Sequence, residues 1–305
     1  MEHTVLVQQL VNGLTIGFVY ALVALGYTMV YGVLRMINFA HGELFMLGAY
    51  FFFSLITGAL TGHLFGSVAL RIVVFVLITM GLVALIGTLV ERVAYRPLRR
   101  STRLSAVVSA LGMSVFLQNA VMLVYGARQK VYPTEEIVPK FALEIGGVEI
   151  SAMQLIICVL SILLMVGLQL FVLKTQTGTA VRAVSQDHDA SRLMGIDVDR
   201  IIILIFMIGP ALGAAAGVMV GMYYRQITFF IGWTYGLKAF IAAVFGGIGN
   251  IPGAMLGGIL LGVLETLAAG YVSAGWKDAI AFFILILILI VRPTGLLGER
   301  VAEKL

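Results

Sequence analysis

Long apolar runs separated by short polar connections make up most of this chain. They lie near 8–33, 38–58, 68–91, 104–125, 151–173, 200–222, 236–250, 253–270 and 278–292. No Lys, Arg, Asp or Glu occurs within 8–33, 44–70, 72–90, 104–127, 150–173 or 201–224. A helix needs roughly 20 apolar residues to cross a bilayer, and it satisfies every backbone hydrogen bond within itself on the way. The pattern therefore predicts an all-α fold, a polytopic transmembrane helical bundle of eight or nine spans, with residues 1–305 as a single domain. Two places leave the count open. The first run is long enough to tilt or to include a turn. Run 236–250 is short, contains Lys238 and ends in the glycine-rich stretch Gly246 to Gly253. It either crosses or dips in and returns. A crossing is the reading adopted, because it keeps the C-terminus inside, and the N-terminus is read as outside.

The polar connections assign the sides. Segment 92–103 holds Arg92, Arg96, Arg99, Arg100 and Arg103 and no acid, which marks it cytoplasmic. The next connection, 126–149, has Glu135, Glu136, Glu144 and Glu149 against Arg128, Lys130 and Lys140, and falls on the far side. Segment 174–200 carries Lys174, Arg182, Arg192 and Arg200 and returns to the cytoplasm, as do Arg292, Arg300 and Lys304 at the C-terminus.

Composition agrees and narrows the function classes. The chain is 61% apolar and 11% charged, with a mean hydropathy of +1.06. Soluble domains run near 45–50% apolar and about 25% charged, so a soluble enzyme is excluded. The net charge of +5 reads as membrane orientation rather than nucleic-acid binding. The single cysteine, Cys158, leaves no intrachain disulfide and no cysteine metal cluster. His3, His41, His63 and His188 form no His-Glu-x-x-His pattern, and no Gly-x-Ser-x-Gly elbow occurs. No Gly-Lys pair exists, so the chain has no phosphate-binding loop of its own. No cofactor and no metal are predicted. No small-residue cleavage pattern follows the early part of the first run, which reads as a retained span.

Small and polar positions within the runs carry the next expectations. Gly209, Gly213, Gly217 and Gly221 recur every four residues around Pro210, giving one flat helix face. Gly253, Gly257, Gly258 and Gly262 form a second small-residue set. Close helix packing is the expected use, and pore lining the lesser one. Charges within spans are costly and default to functional candidates. Lys238 and Glu265 are therefore candidates for the translocation path, or else a helix-end hydrogen bond and an interfacial snorkel. Asn38, His41 and Glu43 open the second run. There Asn38 suits a helix cap and Glu43 the positive end of the dipole. The alternative is a half-helix end facing a solute.

Segment 174–200 is the longest cytoplasmic connection, yet it has helical spacing. Ala183, Val184, Asp187, Ala190, Ser191 and Met194 recur at intervals of three and four, and Gly195 supplies a stop. A helix of about twelve residues is marginal in water by itself, so it needs a surface to dock against. An ordinary surface helix or a membrane-lying loop is the plainer reading.

Here the residues carry a resemblance. Asp189-Ala190-Ser191 followed by Gly195 resembles the Glu-Ala-Ala-x-x-x-Gly signature in the coupling loop of ABC importer permeases, with Asp189 in place of the glutamate. Four further stretches resemble the permease subunit of branched-chain amino acid ABC importers. They are Gly26 to Gly32 leading into Ile37 to Glu43, Glu91 to Leu98, Gly246 to Ala254, and Arg292 to Gly298. The resemblance spans essentially the whole chain and departs around 126–150. It implies pairing with a second homologous permease subunit, two ABC ATPase subunits and an extracytoplasmic solute-binding protein, with the chain itself in the bacterial inner membrane. Segment 183–195, with Ala183, Asp187, Asp189, Ala190, Ser191 and Gly195, would then seat in an ATPase groove as a coupling helix. An ion-coupled secondary transporter is the alternative, for which broken helices and Glu265 would serve ion coupling.

Overall fold

A computed structural model describes residues 2–58, 68–99, 101–133 and 141–298. Of the residues used above, His63, Arg100, Glu135, Glu136, Lys140, Arg300 and Lys304 lie outside the described residues. The helices are α1 (Glu2–Leu34), α2 (His41–Thr57), α3 (Val68–Val90), α4 (Arg103–Tyr125) and α5 (Ala152–Lys174), then α6 (Gln176–Gln186) and α7 (His188–Leu193). α8 (Val198–Tyr224), α9 (Ile231–Gly246), α10 (Ile251–Tyr271) and α11 (Lys277–Val291) complete the bundle. A π turn over Glu91–Tyr95 and a 3-10 turn over Arg96–Leu98 prolong α3.

Each apolar run becomes a helix, but the helices are of two kinds. α1, α3 with its turns, α4, α5, α8 and α10 are long and apolar enough to cross a bilayer. α2, α9 and α11 are shorter, at 17, 16 and 15 residues. The expected eight or nine spans thus resolve into six full-length helices and three short ones. α1 is one uninterrupted helix, without the turn that its length allowed. Small strands add to the all-α expectation at one end of the bundle. β1 (Lys130–Val131) pairs antiparallel with β4 (Gln226–Ile227), and β2 (Ala142–Ile145) with β3 (Val148–Ser151) through a Gly146-Gly147 turn. Both glycines of that turn have positive φ, 61° and 83°, as a tight hairpin requires.

α1 and α8 form the centre, with 83% and 72% of their most apolar windows buried, against 22–28% for α3, α4 and α5. The outer helices turn Leu77, Leu123 and Leu163 outward, as a lipid-facing surface does. α1 and α10 run antiparallel at backbone contact: Gly17 meets Ile259, Gly258 meets Ala21, and Gly13 meets Val263. The four-residue glycine row of α8 is filled along its length. Gly209 faces Gly26 of α1, Gly213 and Gly217 face His41 and Phe45 of α2, and Gly221 faces the Tyr132 ring. Pro210 cannot donate to the carbonyl of Phe206. Gly87 of α3 packs directly on that carbonyl and on the proline ring.

Two of the quoted motifs close on each other at the opposite end from β4. Leu296 N donates to Phe245 O at 2.9 Å, and Leu297 N to Gly246 O at 3.0 Å. Asn250 accepts from Gly253 N at 3.1 Å, capping α10, and donates to Leu297 O at 2.9 Å. The glycine-rich turn after α9 is therefore held by the Arg292-Pro-Thr-Gly segment, with Gly247 and Gly249 at φ 108° and 95°.

Candidate functional site

Two of the short helices, α2 and α9, begin inside the bundle. His41, the first residue of α2, lies level with Gly213, near the midpoint of α8. At about 1.5 Å per residue α2 and α9 reach about 25 Å, short of the roughly 30 Å hydrocarbon core. Their first turns cross at three glycines. A Cβ on Gly236 would stand 2.7 Å from Gly42 Cα, and one on Gly232 would run into the Gly42 carbonyl and the Glu43 carboxylate. Only glycine permits this approach, which brings two positive helix ends together at mid-bundle.

Glu43 stands in the first turn of α2, as its dipole position predicts. It is 1% exposed, and its Oε1 accepts from Ser114 Oγ of α4 at 3.2 Å. Its Oε2 is buried without a hydrogen-bond partner. The groove beside it is lined by Tyr27, Phe39, Gly42, Gly232, Trp233, Gly236, Leu237 and Phe240. Trp233 and Leu237 are nearly half exposed, so the groove opens on the side of the bundle.

Asn38 and His41 serve the approach to α2. The expected cap is corrected: Ala40, not Asn38, is the N-cap of α2, and no side chain caps it. Asn38 lies two residues further back, where its Oδ1 accepts from Ala40 N at 3.1 Å and from the Tyr95 hydroxyl at 3.0 Å. The turn after α1, with Arg35 at φ 54°, places the asparagine before the helix rather than at its cap. The His41 ring packs edge-on against Tyr27 at 4.8 Å, with Nε2 3.2 Å from Val23 O. It fills the space left by Gly26 and Gly213.

Lys238 and Glu265 meet each other. Lys238 Nζ stands 2.8 Å from Glu265 Oε1 and 2.8 Å from Asp278 Oδ1. Lys277 Nζ is 3.2 Å from the same Glu265 oxygen, and the Tyr20 hydroxyl donates to Glu265 Oε2 at 2.7 Å. Two lysines and two carboxylates balance in charge and tie α1, α9, α10 and α11 together. A buried ion is tolerated when it is paired and its remaining sites are hydrogen-bonded, which describes Glu265.

The predicted coupling helix is two helices. Asp187, at φ −154°, leaves the helical region and caps α7, accepting from Asp189 N at 2.9 Å and Ala190 N at 3.0 Å. The spacing of three and four was continuous, but a carboxylate that can bond the following amides competes with the helix and breaks it. The expected stripe consequently is not one face: Val184 and Ser191 are buried, while Asp187, Ala190 and Met194 are exposed. Gly195 does end α7, at φ 84°, with Ile196 N reaching back to Ser191 O at 3.0 Å. Leu193 and Met194, just before it, are 89% and 82% exposed. His188 Nε2 lies 2.8 Å from Val33 O, and Arg35 donates to Ser185 O at 3.4 Å. The segment thus rests on the end of α1 from which the chain turns back toward α2.

Several contributors escaped the sequence reading. Tyr20, Lys277 and Asp278 complete the buried ion cluster, and the Lys277-Asp278 pair between two runs was the available signal. Arg99 pairs with the buried Glu91 and, at 2.6 Å, with Asp199 at the start of α8. Read only as a marker of membrane side, Arg99 also joins the π turn to the exit of the coupling segment.

Comparison with known proteins identifies the architecture. Residues 9–289 match the profile of the family described as the permease component of branched-chain amino acid transport systems. The chain is 49% identical over 302 residues to the high-affinity branched-chain amino acid transport system permease protein BraD of Pseudomonas aeruginosa, with 97% of each chain covered. It is 45% identical over 306 residues to LivH of Escherichia coli, named as a permease of the same kind, again with 97% of each covered. A probable branched-chain amino acid transport permease protein LivM of Methanocaldococcus jannaschii is 28% identical over 144 residues, 42% of this chain and 41% of that one. No solved structure matches. This multi-pass membrane protein belongs to the family of branched-chain amino acid transport permeases.

Proposed function

We propose that the chain, as one transmembrane unit over residues 1–305, is a permease subunit of an ABC importer that carries branched-chain or related amino acids. The observation that carries this is the match over 97% of each chain, at 49% identity, to a protein named as a high-affinity branched-chain amino acid transport system permease. The subunit resides in the bacterial inner membrane with 92–103, 174–200 and the C-terminus in the cytoplasm. Gln8 of α1 bonds Glu149 at the end opposite to the contacts of Arg35 and His188, which supports an outside N-terminus. The pairing partner is a second, homologous permease. Differently named LivH and LivM proteins among the relatives support this, as does a largely apolar groove that opens sideways beside the buried Glu43. An extracytoplasmic binding protein delivers the solute, and two ATPase subunits dock on 174–200. The uncovered Leu193 and Met194 beside Ala190 suit such a seat. Nucleotide-driven movement of this seat reaches α2 through Val33 and Arg35.

The test is a reconstituted importer with ATP inside the vesicles and binding protein outside. Ala190→Trp and Gly195→Val, which alter the docking tip, are expected to leave ATP hydrolysis running while leucine uptake falls at least tenfold. Wild-type coupling in both variants overturns the docking assignment. Uptake that continues on an ion gradient without ATP overturns the ABC reading in favour of secondary transport.

A further inference from the structure

We infer that Glu43 is the point where the permease receives the ammonium group of its solute during passage. The inference rests on the transport reading above and assigns one chemical role within it. Glu43 Oε2 is a buried carboxylate oxygen with no hydrogen-bond partner. A charge-bearing atom left so in low dielectric is costly, and such a site gains most from an ionic partner that arrives with the ligand. The residues lining the groove include no lysine, arginine or histidine, so the groove itself supplies no cation to Oε2. Ser114 holds the other oxygen and fixes the carboxylate from the α4 side. Gly232, packed against Oε2, keeps the α9 side free of a side chain.

The surroundings suit an ammonium joined to a hydrocarbon side chain. Tyr27, Phe39, Trp233 and Phe240 line the groove with aromatic rings, a residue type that attracts cations, and Leu237 adds apolar wall. The first turn of α9 lines the same groove and has no side-chain cap. An uncapped helix N-terminus favours negative charge, which suits the carboxylate end of a zwitterion. Two other buried acids have cations beside them, Glu265 with Lys238 and Lys277 and Glu91 with Arg99, whereas Glu43 has only the Ser114 hydroxyl. The Trp233 and Leu237 side is open, which gives the solute a way in and out along the face where a second permease would stand.

The experiment compares wild type, Glu43→Gln and Ser114→Ala in vesicles containing both permeases and both ATPases. Labelled leucine and binding protein are supplied outside and ATP inside. Glu43→Gln keeps shape and removes the charge. Its leucine uptake is expected to fall tenfold or more, as loss of a charged hydrogen bond implies. Complex yield and binding-protein-stimulated ATP hydrolysis should stay within twofold. Ser114→Ala, which leaves the charge, is expected to lose less than threefold in uptake. Wild-type vesicles that carry no leucine overturn the transport reading itself. Wild-type uptake with an unchanged Glu43→Gln overturns the ammonium role alone. A Glu43→Gln complex that fails to assemble, or loses uptake and hydrolysis together, makes the carboxylate a structural partner of the helix ends and also overturns it.

Discussion

Replacing Lys238 by methionine removes the cation at the centre of the buried ion cluster while keeping the volume of the side chain. Its ammonium serves two carboxylates, Glu265 and Asp278, each at 2.8 Å. Asp278 is about half exposed and can be solvated, but Glu265 is 4% exposed and keeps its charge inside the bundle. Stranding one member of a buried pair costs about 3–5 kcal/mol. Here Lys277 at 3.2 Å and the Tyr20 hydroxyl at 2.7 Å still face Glu265, which lowers the expected cost to about 2–3 kcal/mol. At a few degrees per kcal/mol, the thermal midpoint of the purified permease complex in nanodiscs should fall by about 5 °C. In Lys238→Met/Glu265→Met both buried charges are gone. That variant should recover most of the loss, giving a coupling energy of about 2 kcal/mol in the double-mutant cycle. A single variant that melts within about 1 °C of wild type refutes the reasoning. So does a double variant whose loss equals the sum of the two singles.

Two further outcomes follow from the packing. Gly258→Val should prevent proper closure of α1 on α10, since any Cβ there meets the Ala21 backbone, whereas Gly167→Ala, with open space around it, should be neutral. Overpacking of this kind costs about 1–3 kcal/mol, and yield of folded complex on size exclusion reads the difference. Burial raises the Tyr132 phenol well above its ordinary value of 10.0. Its contribution to stability is therefore full below pH 10 and is lost as pH rises through the higher folded value. Tyr132→Phe gives up the hydrogen bond to Ala49 O. Between pH 10 and 11 it should nonetheless lose stability less steeply than wild type, as seen in melting curves across that range; parallel slopes contradict the assignment.

The charged positions show how far the sequence carries. Arg92, Arg96 and Arg99 mark a side of the membrane through their clustering alone, because insertion responds to local loop charge. That Arg99 also clasps Glu91 and Asp199 depends on a π turn, which has no sequence signature strong enough to read. Asp187 illustrates the reverse: helical spacing suggested continuity, and a local side-chain-to-backbone bond broke it.

Runs of apolar residues determined that the chain lives in the bilayer as helices, since lipid leaves the backbone no other way to satisfy itself. The glycine spacing on α8 determined that one face would meet other helices closely. Motif order was enough to suggest the permease family. Tertiary structure alone decided what those faces meet. It paired Lys238 with Glu265 across a separation of 27 residues, reinforced by Lys277, Asp278 and Tyr20, so that neither stands as a free intramembrane charge. It also started α2 and α9 at mid-bundle with their glycines crossed, leaving one oxygen of Glu43 unmet. Sequence periodicity reports which side of a helix is apolar. It carries no record of depth, or of which distant helix supplies the neutralising partner.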